Sequence, residues 1–162
     1  MRRVKFLAII GLVALFCISS LTLAGNTSNQ TVTFQVTAIN EIATSGSPAA
    51  LVINSAIAGF QPTDAVNSAT TYAISTNQSA KKITGVLDNP MPANTSLKIN
   101  LAAPSGATSS GNVELSNVAA DLVTGITKVA ESGKTITYTF SATVAAGVIP
   151  STSRIVTLTV TD

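Results

Sequence analysis

The chain has 162 residues and a formal net charge of +2, with few charged (10%) or aromatic (4%) side chains. It has no histidine and a single cysteine, Cys17, which excludes Ser-His-Asp triads, Cys-His nucleophiles and the usual zinc sites. Its seven carboxylates are scattered, and aromatic side chains that would hold a sugar beside a carboxylate pair are scarce. We therefore expect no enzymatic activity, no cofactor and no metal site.

The first 24 residues have the pattern of a secretory signal peptide. Three basic residues precede a mostly apolar stretch over residues 6–18, and small residues at positions 22 and 24 favour cleavage after Ala24. An uncleaved anchor is the alternative, because residues 6–24 nearly reach the roughly 20 residues that a spanning helix needs. Removing 24 of 162 residues leaves 138, with six basic and seven acidic side chains and no cysteine. The mature chain is thus expected to form no disulfide and to bind no nucleic acid.

Residues 31–42 (TVTFQVTAINEI) are the first stretch after this segment with a strong pattern. Val32, Phe34, Val36 and Ala38 fall on one face of an extended chain, and polar side chains fall on the other. This alternation predicts a strand with one face to bury. The residues alone leave open whether the strand completes its own domain or a neighbouring subunit.

The rest of the chain also reads as strands separated by turns. Strands are predicted at residues 50–53, 70–76, 81–87, 96–102, 112–118, 135–144 and 154–161. Turns or loops rich in Gly, Pro, Ser and Asn are predicted at residues 44–48, 58–68, 77–80, 88–92, 104–111, 131–134 and 147–151. Residues 119–128 fit either a strand or one helical turn followed by a strand.

This pattern predicts an all-β protein, a single antiparallel β-sandwich. The expected organisation is a signal peptide helix over residues 1–24, an N-terminal strand over residues 25–43, and a sandwich domain over residues 44–162. Lys81 and Lys82 are interpreted as a solvated strand edge that discourages unwanted pairing. Glycosylation motifs occur at Asn26, Asn29, Asn77 and Asn94, and the sequence does not tell whether they are used.

Three stretches together resemble a known family. They are TVTFQVTAINEI at residues 31–42, YAISTNQSAKKITGVLD at residues 72–88 and AGVIPSTSRIVTLTVTD at residues 146–162. In order and pattern they are similar to the major subunits of chaperone-usher fimbriae, especially the alternate, colonisation-factor class. A related surface filament built by strand donation would fit the same pattern.

The resemblance implies a mechanism of assembly. Subunits of that family have immunoglobulin folds that lack one strand, and the N-terminal extension of the next subunit fills the gap. Carried over to this chain, the donor strand would insert Val32, Phe34, Val36 and Ala38. The acceptor groove would be lined by Ile136, Tyr138, Phe140, Val156, Leu158 and Val160. The donor would extend to about residue 42, with residues 44–47 as its hinge.

The resemblance also implies partners and a location. The partners would be further copies in a head-to-tail homopolymer, with an assembly chaperone and an outer-membrane usher as further candidates and membrane contact only during export. The subunit would be exported to the cell surface as part of a fimbria, through the periplasm in a Gram-negative cell. The alternative is a self-complete, adhesin-like β-sandwich that binds ligands through the loops at residues 58–68 and 103–111.

Overall fold

The computed structural model describes residues 25–162, which fall into two units divided after Gln35. The expected signal peptide over residues 1–24 lies outside the described residues. In the first unit, residues 25–35 form neither helix nor strand, and their side chains are exposed. The second unit, Val36–Asp162, contains every strand of the described chain.

The second unit is built from nine β-strands. They are β1 (Asn40–Thr44), β2 (Ala65–Thr76), β3 (Lys81–Leu87), β4 (Thr95–Leu101), β5 (Thr108–Ser109), β6 (Val113–Glu114), β7 (Ala120–Ile126), β8 (Val129–Ala142) and β9 (Val156–Thr161). Within residues 25–162 the only helical piece is one 3₁₀ turn, Val144–Ala146. The expectation of an all-β chain is therefore confirmed for the described residues.

The strands form two antiparallel sheets. The first has the order β1-β2-β8-β4-β6, and the second has the order β5-β7-β3-β9. Every strand pair in both sheets is antiparallel. A single apolar core draws on both sheets, as expected of a sandwich-like arrangement.

The core follows from side-chain alternation. In β3 and β4, every second residue is buried and the residues between are half-buried. The alternation puts the apolar side chains of each strand on one face, and the two inner faces bury them against each other. The least exposed core side chains are Ile83, Ile99, Leu101, Val123 and Ile126.

Several strand predictions are confirmed, but other bounds are wrong, and the turn predicted over residues 104–111 contains the short strand β5. Residues 131–134 are not a hairpin turn, because β8 runs through them with a register shift against β2. The turn comes earlier, at residues 127–128, where Lys128 has a positive φ of 48°. The loop predicted over residues 58–68 ends sooner, since β2 begins at Ala65. The strand predicted over residues 112–118 shrinks to Val113–Glu114.

The interpretation of the two lysines is also wrong. β3 lies between β7 and β9, so Lys81 and Lys82 are not on a sheet edge. Lys81 is buried and pairs with Asp162, and Lys82 pairs with Asp121 at 3.3 Å. These ion pairs join β3 to the residue that follows β9 and to β7.

Candidate functional site

The N-terminal stretch, residues 25–39 and hereafter the tail, does not join either sheet. Its apolar side chains are exposed: Val32 by 75%, Phe34 by 90% and Val36 by 79%, and Ala38 is exposed too. The strand predicted over residues 31–42 is therefore wrong over residues 31–39, and a strand begins only at Asn40. Residues 40–44 are paired with β2, so the donor strand cannot extend to residue 42, nor its hinge lie at residues 44–47, without breaking that pairing.

One asparagine fixes the point where the tail leaves the second unit. The Asn77 Nδ2 donates to the Thr37 carbonyl oxygen at 2.7 Å, and the Ile39 amide donates to Asn77 Oδ1 at 2.9 Å. The Asn77 amide also donates to the Ile39 carbonyl oxygen at 3.3 Å. We call this end of the sandwich the tail end. It also includes the turn at residues 77–80 and the Lys81–Asp162 pair.

A groove of about 1110 Å³ opens at the opposite end of the second unit, hereafter the open end. Its floor carries Leu97, Ile136, Tyr138 and Phe140 from β4 and β8. One wall is the chain at residues 46–56, and the other is the chain at residues 147–156. The floor is apolar, and burial in it raises the pKa of the Tyr138 hydroxyl.

Each wall contains a stretch of chain without a strand partner among the described residues, residues 46–54 in one and residues 148–152 in the other. Leu51 and Ile53 are half-buried, and Val52 between them is 63% exposed, which is the alternation of a strand. Within residues 25–162, no backbone hydrogen bond between main-chain groups involves residues 46–54 or 148–152. The short strand predicted at residues 50–53 is thus extended but unpaired. Its backbone groups are open to a further strand.

The edge of β9 offers a third unpaired surface. The Asp88 amide donates to the Ile155 carbonyl oxygen at 3.0 Å, so Ile155 faces β3 in the ladder. Since antiparallel pairs alternate, the backbone groups of Val156, Leu158 and Val160 point to the free side of β9. Their side chains are only half-buried, although they pack against the core. A strand added at this edge would complete both their hydrogen bonds and their burial.

β1 faces the same gap from the other sheet. The Ser45 amide donates to the Thr71 carbonyl oxygen at 2.9 Å, so by alternation Ile42 and Thr44 point their backbone groups away from β2. Between β1 and β9 the gap narrows to a smaller pocket of about 290 Å³, lined by Ile42, Ala43, Thr44, Val156, Thr157 and Leu158. The groove is therefore wide at the open end and narrow further along the strands.

Asp88 and Arg154 anchor one wall of the groove. The Ile155 amide donates to Asp88 Oδ1 at 2.9 Å, and the Arg154 Nε donates to the Pro90 carbonyl oxygen at 2.9 Å. The bond from Ile155, the bonds from Asn89 and the charge of Arg154 outweigh partial desolvation and lower the pKa of the Asp88 carboxyl. The carboxylate therefore stays ionised and keeps the wall attached to the loop after β3.

Comparisons of the chain with protein-family models, with curated proteins and with solved structures gave no match. Among residues 25–162, no helix is long and apolar enough to cross a membrane, and no cluster of three or more metal-ligating side chains occurs.

The structure brings most of the predicted acceptor residues together. Ile136, Tyr138, Phe140 and Val156 line the groove, and Leu158 lines the narrow pocket beside it. Val160 lines neither cavity but is half-buried on the same free edge. Sequence reasoning missed Leu51, Ile53, Met91, Leu97 and Ile149, which also line the groove. The alternation around Val52, and that of Leu97 with Ile99 and Leu101 in the predicted strand at residues 96–102, gave local signals for part of this set.

Proposed function

We propose that the protein is a structural subunit of an extracellular filament, in which the tail of one copy fills the groove of the next. One observation carries the proposal: a wide apolar groove, bounded by unpaired extended chain and a free strand edge, occurs in a chain with an exposed, alternating apolar segment. Main-chain hydrogen bonds and alternating side chains are how an added strand binds such an edge. Fully burying a Val or Phe side chain contributes about 1.5–3 kcal/mol.

The strand order supports an immunoglobulin-like fold that lacks its last strand. In that fold, one sheet has the order A-B-E-D and the other has C-F-G. The order β1-β2-β8-β4 matches A-B-E-D, and the neighbours β3 and β9 match C and F. The position of strand G corresponds to the free edge of β9. The donated tail would occupy that position.

The position of the tail favours an open chain of subunits over a closed pair. The tail leaves its own sandwich at the tail end, whereas the wide part of the groove lies at the open end. A tail entering from the open end would run antiparallel to β9, which starts there beside Asp88. Donor and acceptor surfaces at opposite ends make a heterologous contact, and such contacts extend into filaments when they do not close into rings.

The same arrangement disfavours a self-complete binding module. That alternative needs residues 31–42 as an edge strand of their own domain, and residues 31–39 are outside both sheets. In our proposal the chain is exported and acts at the cell surface, its main partner is another copy of itself, and it catalyses no reaction. An assembly chaperone would protect the groove before polymerisation.

The test is a titration of a labelled synthetic peptide of residues 25–39 into dilute mature protein, residues 25–162. We expect saturable binding, and at least ~100-fold weaker binding of the same peptide with Phe34→Asp and Val36→Asp, because two charges would enter an apolar groove. Electron microscopy of the concentrated wild type should show fibres that the full chain with both substitutions does not form.

Two results would contradict the proposal. If both peptides bind with the same affinity or neither binds, the groove does not accept the tail. If the doubly substituted chain also loses its β-rich circular dichroism, the tail belongs to its own domain, and the loops at residues 58–68 and 103–111 become the candidate ligand sites.

A further inference from the structure

The open end of the sandwich exposes large apolar side chains beyond those that line the groove floor. Outside the tail, eight such side chains are exposed among the described residues, and all of them lie at or near this end. They are Val52, Ile57, Phe60, Val66, Val118, Val144, Val148 and Ile155. Phe60 is 72% exposed, Val144 is 68% exposed and Val148 is 99% exposed. The turns at the tail end expose none.

Hydrogen bonds hold several of these segments next to one another. The Val144 amide donates to Gln61 Oε1 at 2.9 Å, which sets the 3₁₀ turn beside the turn that carries Phe60. The Phe60 amide in turn donates to the Ile57 carbonyl oxygen at 2.9 Å. Because Val144 and Gly147 also line the groove, this apolar surface borders the mouth of the groove.

The attachment of the tail leaves almost no free chain between a donated strand and the sandwich of the same copy. Ala38 is the last apolar donor residue, and Thr37 and Ile39 on either side of it are both bonded to Asn77. When the tail of one copy is seated in the groove of another, the tail end of the donating copy therefore lies at the mouth of that groove. Two subunits joined in this way come into contact at more than the tail.

We propose that the apolar surface around Phe60 and Val144 is a second interface between subunits and packs against the tail end of the copy whose tail fills the groove. The inference rests on the proposed function and extends it. The tail would supply the link between subunits, whereas this surface would fix the angle between them and slow their separation. Exposed apolar side chains at this position then have a partner in the filament.

The experiment compares mature wild type with Phe60→Ser combined with Ile57→Ser, two exposed residues that do not line the groove, and with Glu114→Ser as a matched control on the exposed side of β6. Two quantities are measured: the dissociation constant of the residue 25–39 peptide at low protein concentration, and the concentration of subunit left unpolymerised after sedimentation of fibres. We expect unchanged peptide affinity in all three proteins. The unpolymerised concentration should rise about 10-fold or more in the double variant alone, the size of effect found at interface hot spots.

An unpolymerised concentration that is unchanged in the double variant, or raised equally by Glu114→Ser, would overturn the second interface while leaving tail donation intact. If wild type binds no peptide and forms no fibres, the proposed function fails and this inference fails with it. Should the double variant lose peptide affinity, Val148→Ser replaces it, since that side chain is almost fully exposed. The unpolymerised concentration of Val148→Ser must then rise in the same way, without a change in the dissociation constant of the peptide.

Discussion

A single hydroxyl group links β2 to the residue that follows β4, on the other side of β8 in the same sheet. Tyr72 is buried, and its Oη donates to the Ala102 carbonyl oxygen at 2.7 Å. Burial, with a smaller contribution from the nearby Glu131 charge, raises the pKa of Tyr72 to about 12. The phenol therefore remains neutral and remains a donor at any ordinary pH.

We expect Tyr72→Phe to lower the free energy of unfolding by about 1–2 kcal/mol, because the change removes a hydrogen bond and leaves a partly buried carbonyl unpaired. Chemical denaturation measures this. Tyr138→Phe is the control, since the Tyr138 hydroxyl donates to no group among the described residues, and it should cost less. Equal effects of the two changes would show that the bond to Ala102 does not stabilise the fold.

A carboxylate on β8 should make the protein sensitive to acid. Glu131 pairs with Lys134, and its Oε1 accepts from the Ser105 amide at 2.9 Å. These bonds lower its pKa from 4.5 to about 2. A depressed pKa contributes stability that is fully present above pH 4.5 and is lost as the pH falls towards 2.

We therefore expect the denaturation midpoint to fall between pH 4.5 and pH 2, and Glu131→Gln to flatten this part of the profile. Glu41→Gln serves as the control, because the Glu41 side chain makes no hydrogen bond or ion pair among the described residues. If Glu131→Gln keeps the full acid dependence of the wild type, other carboxyl groups cause the fall of the midpoint.

At the scale of elements, β3 requires a residue without a side chain at Gly85, where it pairs with β7. A Cβ at Gly85 would lie 2.7 Å from Leu122 Cδ1 and 3.2 Å from Leu115 Cδ2. Both leucines are buried, so neither can move into solvent to make room. The glycine is needed for the close approach of the side chains and not for an unusual backbone angle.

Gly85→Ala is expected to destabilise the fold by about 1–3 kcal/mol, the usual cost of overpacking a core. The measurement is the free energy of unfolding in denaturant. Gly25→Ala is the matched control, since nothing lies within 3.9 Å of its Cβ position. A stability of Gly85→Ala equal to that of the wild type would mean that the leucines repack without cost.

At the scale of the whole molecule, if the groove is the position of a missing strand, as proposed, a strand supplied within the same chain should fill it. β9 ends at Thr161 with its outer edge free, so a second copy of residues 25–39 joined after Asp162 by a short flexible linker can turn back along that edge. The turned-back copy would run antiparallel to β9, the direction inferred for the donated tail. This fusion would fill its own groove.

We expect the fusion to remain monomeric at concentrations where the wild type polymerises, and to gain on the order of 3 kcal/mol in free energy of unfolding from the added burial. Light scattering and denaturation measure the two effects. The control is the same fusion with Phe34→Asp and Val36→Asp in the appended copy. If both fusions polymerise like the wild type, the edge of β9 is not the acceptor.

Side-chain alternation is a local property, and it determined much of this protein. The strands β3 and β4 and the core face of Ile136 and Tyr138 follow from it, whereas the alternation at residues 31–39 formed no strand in either sheet. Local signals failed at residues 131–134, where a glycine predicted a turn but β8 continues, because pairing with β2 outweighs the turn preference.

Only the tertiary structure decided where the groove lies and that β9 has no strand of the described chain along its outer edge. The two walls at residues 46–56 and 147–156 are far apart in sequence, and long-range contacts such as Ile155 with Asp88 place them on either side of one gap. Whether a strand is paired depends on which neighbour lies beside it, and the sequence of β9 is the same with or without one. The alternating sequence therefore determined most of the strands, and the sheet order left the outer edge of β9 without a partner in the described chain.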